Sequence, residues 1–299
     1  MKINKMYDLI CIGNYTKDTI VTPTGVTYVD GGAVNYSAHA AVRLGLNVAA
    51  VTHLAREDDR VVEKFKRAGI DCLPTFTPHS TCMRLEYPTT NPDFRTLSVT
   101  HTAGSITAEE IQGLQSKSAV IGPSLRGEVG LDVILALKKK DIQVGIDVQG
   151  YVRVIRDQNL VYEPWEEMSM YLEQIDVLKS DAVEAEYLTG EADIYKAASA
   201  FLEMGPKEIV LTHKDGVLVY GDGIFYDRRF FPKNMDGRSG RGDTCVGSYM
   251  SMRLSKSPEE ASIWAAAVTS LKMENQGPFN RTLADVEDLI SEKYSGQVH

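Results

Sequence analysis

Asp236-Gly237-Arg238-Ser239-Gly240-Arg241-Gly242-Asp243-Thr244-Cys245-Val246-Gly247-Ser248-Tyr249-Met250 is a glycine-rich turn running into an amphipathic helix, with the carboxylate of Asp243 at the junction. Gly240 and Gly242 permit backbone angles that a side chain forbids, so successive N–H groups can converge on one anion. Val246, Tyr249, Met250 and Leu254 share one helix face, and the free N–H groups of the first turn carry partial positive charge toward the same spot. The arrangement suits phosphoryl transfer, an anion being held beside a potential base. Asp in a first helical turn is also commonly a cap for two backbone donors, and this stretch alone leaves both roles open.

A second glycine turn lies far upstream. Gly31-Gly32-Ala33-Val34-Asn35-Tyr36 opens another helix, which closes at Arg43-Leu44-Gly45. Two such loops suggest two substrates. Along the chain, short apolar runs at 7–13, 48–54, 120–122, 143–147, 176–179 and 208–212 read as strands. Helical patterns separate these at 35–44, 59–68, 108–115, 129–139 and 193–204, with further helices starting at Thr244 and Pro258. Such alternation predicts an α/β fold, a mostly parallel sheet covered on both faces. Residues 217–220 and 224–230 read as a hairpin around Gly221-Asp222-Gly223. Extended pairs at 18–21 with 26–29, and at 81–87 with 94–99, interrupt the alternation.

The glycine pair followed by Asn35, the Gly240-Arg241-Gly242-Asp243 turn, and their order resemble the two signatures of the ribokinase-like (PfkB) carbohydrate kinase family. The segment Lys179-Ser180-Asp181-Ala182-Val183-Glu184 resembles that family's Asn-x-x-Glu stretch, with Asp181 where Asn is usual. The resemblance runs from about residue 7 to about 279. It departs again in the C-terminal signature: the family's Asp-Thr-x-Gly-Ala-Gly-Asp has Gly237 and Arg238 here for its first two residues, and Arg241 for Ala. Asp236 is a candidate for the displaced first Asp, and Arg241 either binds a phosphate oxygen or lies on solvent.

The resemblance implies a three-layer αβα ribokinase-like fold in a single domain, 1–299, with a small β lid formed by about 15–30 and 75–101. It implies a Mg-ATP-dependent kinase of a small sugar, polyol or cyclitol, in which Asp243 takes the acceptor hydroxyl's proton while Gly240, Arg241 and Gly242 hold the transferred phosphate. Acceptor contacts are expected from Asp18, Asn14, Gly32 and Asn35, although Asp18 also reads as a turn residue. Asp147 and Arg153 follow a strand at the carboxyl edge of the sheet, to contact acceptor or phosphate or to pair with each other. The nucleotide is expected at Lys179, Asp181, Thr212, Gly216 and Asn275, Thr212-His213-Lys214-Asp215-Gly216 resembling a shortened form of the family's nucleotide loop. Asp181 and Glu184 are expected to organise Mg²⁺ through water, or else to cap a helix. A homodimer through the lid is a further expectation.

The remaining sequence narrows the alternatives. A net charge of −9 argues against general nucleic-acid binding, and the 138–140 lysine run fits a helix end. Cys11, Cys72, Cys82 and Cys245 lack zinc-site spacing and suit reduced thiols in a cytoplasmic protein. The apolar stretch 9–12 is too short to span a membrane. A dehydrogenase fingerprint and a P-loop are both missing. A nucleoside kinase using the same site, or a sugar- or nucleotide-binding regulator with weakened catalysis, are the rival readings.

Overall fold

The computed structural model describes residues 5–89 and 96–296. Strand β1 (Met6–Ile12) leads into a hairpin of β2 (Thr16–Thr22) and β3 (Gly25–Gly31), then α1 (Ala33–Arg43). Next come β4 (Val48–Ala55), α2 (Arg60–Arg67), β5 (Asp71–Thr77), β6 (Thr81–Glu86) and β7 (Thr96–His101). Strands and helices then alternate through β8 (Gln115–Ile121), α3 (Leu131–Lys138), β9 (Gln143–Asp147) and the single turn α4 (Gln149–Val152). A hairpin of β10 (Arg153–Arg156) and β11 (Asn159–Tyr162) precedes α5 (Met168–Leu172), β12 (Val177–Asp181), α6 (Ala182–Thr189), α7 (Ile194–Glu203) and β13 (Glu208–Thr212). The last third holds the hairpin β14 (Gly216–Gly221) and β15 (Ile224–Arg229), then α8 (Arg241–Met252), α9 (Pro258–Met273) and α10 (Leu283–Lys293).

Among the described residues the strands form two sheets. The larger has the order β15-β14-β13-β12-β9-β8-β1-β4-β5. Every pairing from β13 to β5 is parallel, and β14 and β15 add an antiparallel edge. Alternation along each strand sends side chains to opposite faces. Thus Leu9 and Cys11 join a core with α1, α8, α9 and α10, while Ile10 and Ile12 join another with α3, α5 and α7. The result is a three-layer αβα fold, as the sequence implied.

Strand order reverses between β1 and β8, which makes the crevice beyond their carboxyl ends the place where ligands bind in open sheets of this kind. Glycine keeps that crevice tight: a Cβ on Gly13 would lie 2.4 Å from the Gly122 carbonyl oxygen, and one on Gly122 2.3 Å from Ala33 Cβ. The smaller sheet, β10-β11-β7-β6-β2-β3, stands over the same end. Asp30 on β3 ties it to α2 through Arg60, at 2.8 and 2.9 Å, and through Lys64.

One expectation needs correction, and one element was not foreseen. Residues 108–113 form turns instead of a helix. Lys140 Nζ takes the carbonyls of Ile111, Gln112 and Leu114, and Glu110 folds back onto the Thr107 N–H, so the local backbone groups are satisfied without a helical ladder. The β10–β11 hairpin, which has no counterpart in the sequence reading, supplies an edge of the smaller sheet. The expected strand at 94–99 is β7 from Thr96 onward; its first two positions lie outside the described residues.

Candidate active site

The crevice holds a cavity of about 680 Å³, floored by Gly32, Lys179, Gly242 and Asp243 and roofed by Met83, Leu85, Leu97 and Tyr162 of the smaller sheet. Asp243 sits in the first turn of α8, which begins after Gly240 in the left-handed conformation, φ +74°. Only glycine fits there: a Cβ would stand 2.2 Å from the Tyr36 ring. Ser37 of α1 donates to the Asp243 carbonyl at 2.9 Å, and Gly247 lets the two helices close up on Ser37. Both glycine turns seen in the sequence therefore meet at one point, α1 packing on α8. Among the described residues no side chain donates a hydrogen bond to the Asp243 carboxylate. Burial raises its pKa, opposed by the positive charges of Lys179, Arg153 and Lys272.

Asp18 faces the same cavity from β2. Its Oδ1 is buried without a partner, and burial pushes the carboxyl up to about 6, against the Thr16 hydrogen bond and the Arg153 charge. Gly31 is required beside it, since a Cβ there would be 2.3 Å from Asp18 Oδ2. Arg153, Gln149 and Ser124 complete the polar lining on this side. Asp147 does not pair with Arg153; its partner is Lys179, 2.8 Å away, with both side chains about 3% exposed. The Lys179 pKa is raised, the Asp147, Glu184, Asp181 and Asp243 charges outweighing burial.

Several expected contacts are engaged elsewhere. The Asn14 amide donates to the Gly104 carbonyl at 2.7 Å and accepts from the His53 N–H, and Asn35 donates to the Asp30 carbonyl at 2.9 Å; neither lines the cavity. Gly32 does line it, with φ +93° and no room for a Cβ against the Asn14 carbonyl. Thr212 reaches the cavity, whereas Gly216 lies buried in the tight turn between β13 and β14, accepting from His213 N–H at 2.9 Å. Asn275 lies outside the lining as well. His213 pairs with Asp227 at 3.2 Å.

Asp181 and Glu184 form a reciprocal cap on α6, and Glu184 also accepts from Gln149 at 3.0 Å. The Glu184 carboxylate is thereby used within the protein, buried, and raised to about 6 by that burial. Asp181 keeps Oδ2 free of protein donors and lines the cavity. Among the described residues no group of three or more His, Cys, Asp or Glu could cage a metal. A Mg²⁺ held mainly by donor phosphates and water, with Asp181 in its outer sphere, fits this arrangement. Direct ligation by Glu184 does not.

Sequence reading missed Tyr162, Ser124 and Tyr36. It also missed Lys272, a lysine 2% exposed in the last turn of α9. Its position in an Ala-rich helical run was the available signal.

The model of the pfkB family carbohydrate kinases matches residues 3–283. The chain belongs to this family. It is accordingly a phosphotransferase with a hydroxyl acceptor. Among PfkB relatives, cytidine kinase of Thermococcus kodakarensis is 26% identical over 256 residues, spanning 82% of this chain and 88% of its own. A sulfate-complexed pyrophosphate-dependent kinase of the ribokinase family superposes with a TM-score of 0.87 at 33% identity, covering 93% of this chain and 99% of that one. A pyrophosphate-dependent kinase of the same family, bound to a pyrophosphate analogue and myo-inositol, gives 0.86 at 32%, covering 94% and 99%. Arabidopsis thaliana ribokinase with ribose and ATP shares the fold at 0.76 and 18%, covering 97% and 100%. No helix among the described residues is long and apolar enough to cross a membrane.

Proposed function

We propose that this PfkB kinase phosphorylates a hydroxyl of a small polyol or cyclitol, with Asp243 as general base and pyrophosphate as donor. One observation carries the reading: Asp243 and Asp18 share a cavity with Lys179, Arg153, Arg238 and Arg241, while Gly216 and Asn275, two of the five positions expected to meet a nucleotide, stay outside its lining and Lys179, Asp181 and Thr212 belong to it. The donor end thus offers cations suited to a short phosphate chain. The pyrophosphate-dependent relatives, one of them bound to myo-inositol, lend support.

Asp18 accepts a hydrogen bond from the acceptor and orients it under the lid. The acceptor hydroxyl oxygen attacks the terminal phosphorus as its proton passes to the Asp243 carboxylate. The new O–P bond forms while the bond to the bridging oxygen breaks, and orthophosphate leaves. N–H groups of the 240–242 turn and the Lys179 ammonium stabilise charge on the transferred oxygens, where each such donor is worth about 10²- to 10³-fold in rate. Bound Mg²⁺, held outside by Asp181, would neutralise charge on the donor oxygens. The lid excludes water that would compete with the acceptor.

A nucleoside acceptor is the second reading, favoured by the apolar roof of Met83, Leu85, Leu97 and Tyr162, against which a base could stack, and by the cytidine kinase relative. The deciding experiment follows phosphate transfer from Mg-pyrophosphate and from Mg-ATP to cyclitols, pentoses, hexoses, sugar acids and nucleosides, with Asp243→Asn alongside. Pyrophosphate-driven transfer to a cyclitol or polyol that falls about 10²- to 10⁴-fold in Asp243→Asn is the expected result. Turnover with ATP alone rejects the donor assignment, and a fully active Asp243→Asn rejects the base.

A further inference from the structure

Lys272 is a buried ammonium whose part in the phosphoryl transfer described above is so far only its charge, which opposes the rise in the Asp243 pKa. It stands in the last turn of α9, and both of its hydrogen-bond acceptors are main-chain carbonyls of the loop that leads into the anion turn, those of Gly237 and Ser239. The face of Tyr36 covers its third side, with Nζ 5.2 Å from the ring centroid. This loop is pressed onto the end of α9. Gly237 N–H donates to the Met273 carbonyl at 2.8 Å, and a Cβ on Gly237 would fall 1.8 Å from the Asn275 oxygen. Burial lowers the Lys272 pKa to about 8, and the Asp243 charge opposes that shift.

The consequence follows from peptide geometry. In a trans peptide the C=O of one residue and the N–H of the next point in opposite directions. An ammonium that draws the Gly237 and Ser239 carbonyls toward α9 therefore turns the N–H groups of Arg238 and Gly240 to the opposite side. Arg238 and Gly240 both line the cavity. Tyr36 links the two halves of the device: one ring meets the Lys272 ammonium and also packs against Gly240, where α8 begins.

We infer that Lys272 is a positioning residue for phosphoryl transfer, its ammonium setting the Arg238 and Gly240 N–H groups toward the transferred phosphate. The inference rests on the proposed reading of the 240–243 turn as the phosphate site. Lys272 touches no reactant and acts through the loop. Its loss should therefore lower kcat far more than it raises the KM of the acceptor, which meets Asp18 and Arg153 across the cavity.

The test compares Lys272→Met, Lys272→Ala and Lys272→Arg with the wild type, using myo-inositol and whichever of Mg-pyrophosphate or Mg-ATP drives turnover, and Asp243→Asn in parallel. Lys272→Met is expected to lose about 10²-fold or more in kcat, with acceptor KM within threefold. Lys272→Ala should lose as much and regain at least tenfold with added methylammonium, which fits the vacated space, and nothing with tetramethylammonium, which does not. Lys272→Arg, keeping a cation, should fall between. A folded Lys272→Met within threefold of wild-type kcat overturns the inference, as does a Lys272→Ala indifferent to methylammonium. Where Lys272→Met does not fold, the amine response of Lys272→Ala decides. An inactive Asp243→Asn beside a fully active Lys272→Met removes only this inference, whereas a fully active Asp243→Asn removes the reading of the site itself.

Discussion

Lys179 and Asp147 form a buried ion pair, 2.8 Å from Nζ to Oδ2, directly beneath the anion turn: a Cβ on Gly242 would lie 2.5 Å from the same Nζ. The ammonium therefore belongs to two structures at once, the interior pair and the phosphate site. Removing it leaves Asp147, whose pKa burial already raises, with an uncompensated charge. Lys179→Met should cost about 3–5 kcal/mol at pH 8, the usual penalty for breaking a buried pair. The sign follows from linkage. Asp147 then has a folded pKa above its unfolded value, so the cost shrinks as the pH falls and the carboxyl takes up a proton. Lys179→Met with Asp147→Asn should recover most of the stability and none of the activity. Thermal melts at pH 5 and pH 8, with turnover, check both halves.

The parts of this architecture that sequence revealed are those set by local geometry. Gly240 and Gly31 are glycine because of the left-handed turn at one and the Asp18 carboxylate against the other, and such needs leave a mark at a single position. The strand-helix alternation was legible for the same reason. What escaped depends on partners distant in sequence. Asn14 and Asn35 carry the right chemistry for an acceptor but spend their amides on the Gly104 and Asp30 carbonyls. Glu184 is claimed by Asp181 and Gln149, and Lys140 replaces a helix by taking three carbonyls from 28, 29 and 26 residues away. Lys272 was passed over because a lysine near a helix end usually meets solvent, whereas here the 237–239 loop covers it.

Gly240→Ala tests the first glycine argument. The new Cβ would meet the Tyr36 ring at 2.2 Å in a backbone conformation that costs an L-residue about 1–2 kcal/mol. The start of α8 should shift, moving Asp243 and the adjoining N–H groups. Turnover is expected to drop about 10²-fold or more while the melting temperature falls only a few degrees. Gly45→Ala, also at positive φ but with open space around its Cβ, should show the stability loss without the loss in turnover.

The acidic limb of the pH profile should carry the mark of Asp18. Its carboxyl is raised to about 6 by burial, with Thr16 and Arg153 pulling it down and the Asp243 and Asp30 charges pushing it up. In the proposed reading both Asp18 and Asp243 serve as carboxylates, so kcat/KM should fall as the pH drops through about 6. Asp18→Asn removes one negative neighbour of Asp243, and a like charge removed lowers a carboxyl pKa. The limb that remains in Asp18→Asn should move to lower pH, together with a large rise in acceptor KM. An unmoved limb would show that Asp18 and Asp243 do not sense each other.

Arg241 distinguishes the donor from the acceptor. Its guanidinium lines the cavity with no hydrogen-bond partner among the described residues, and burial lowers its pKa while Asp181 opposes that. A half-buried planar cation beside the anion turn is placed to take two oxygens of a phosphate group. A charge-assisted hydrogen bond contributes about 1.5–3 kcal/mol, which corresponds to roughly 10- to 150-fold in affinity. Arg241→Met should therefore raise the KM for pyrophosphate by about that factor and leave the acceptor KM unchanged, because Asp18, the proposed acceptor contact, is untouched. His213→Ala, at the turn where a nucleotide loop was expected, should change neither constant, its partner being Asp227 on the neighbouring strand. If His213→Ala instead weakens the donor, the donor extends beyond the cations toward the β13–β14 turn, and a nucleotide replaces pyrophosphate in the reading of this site.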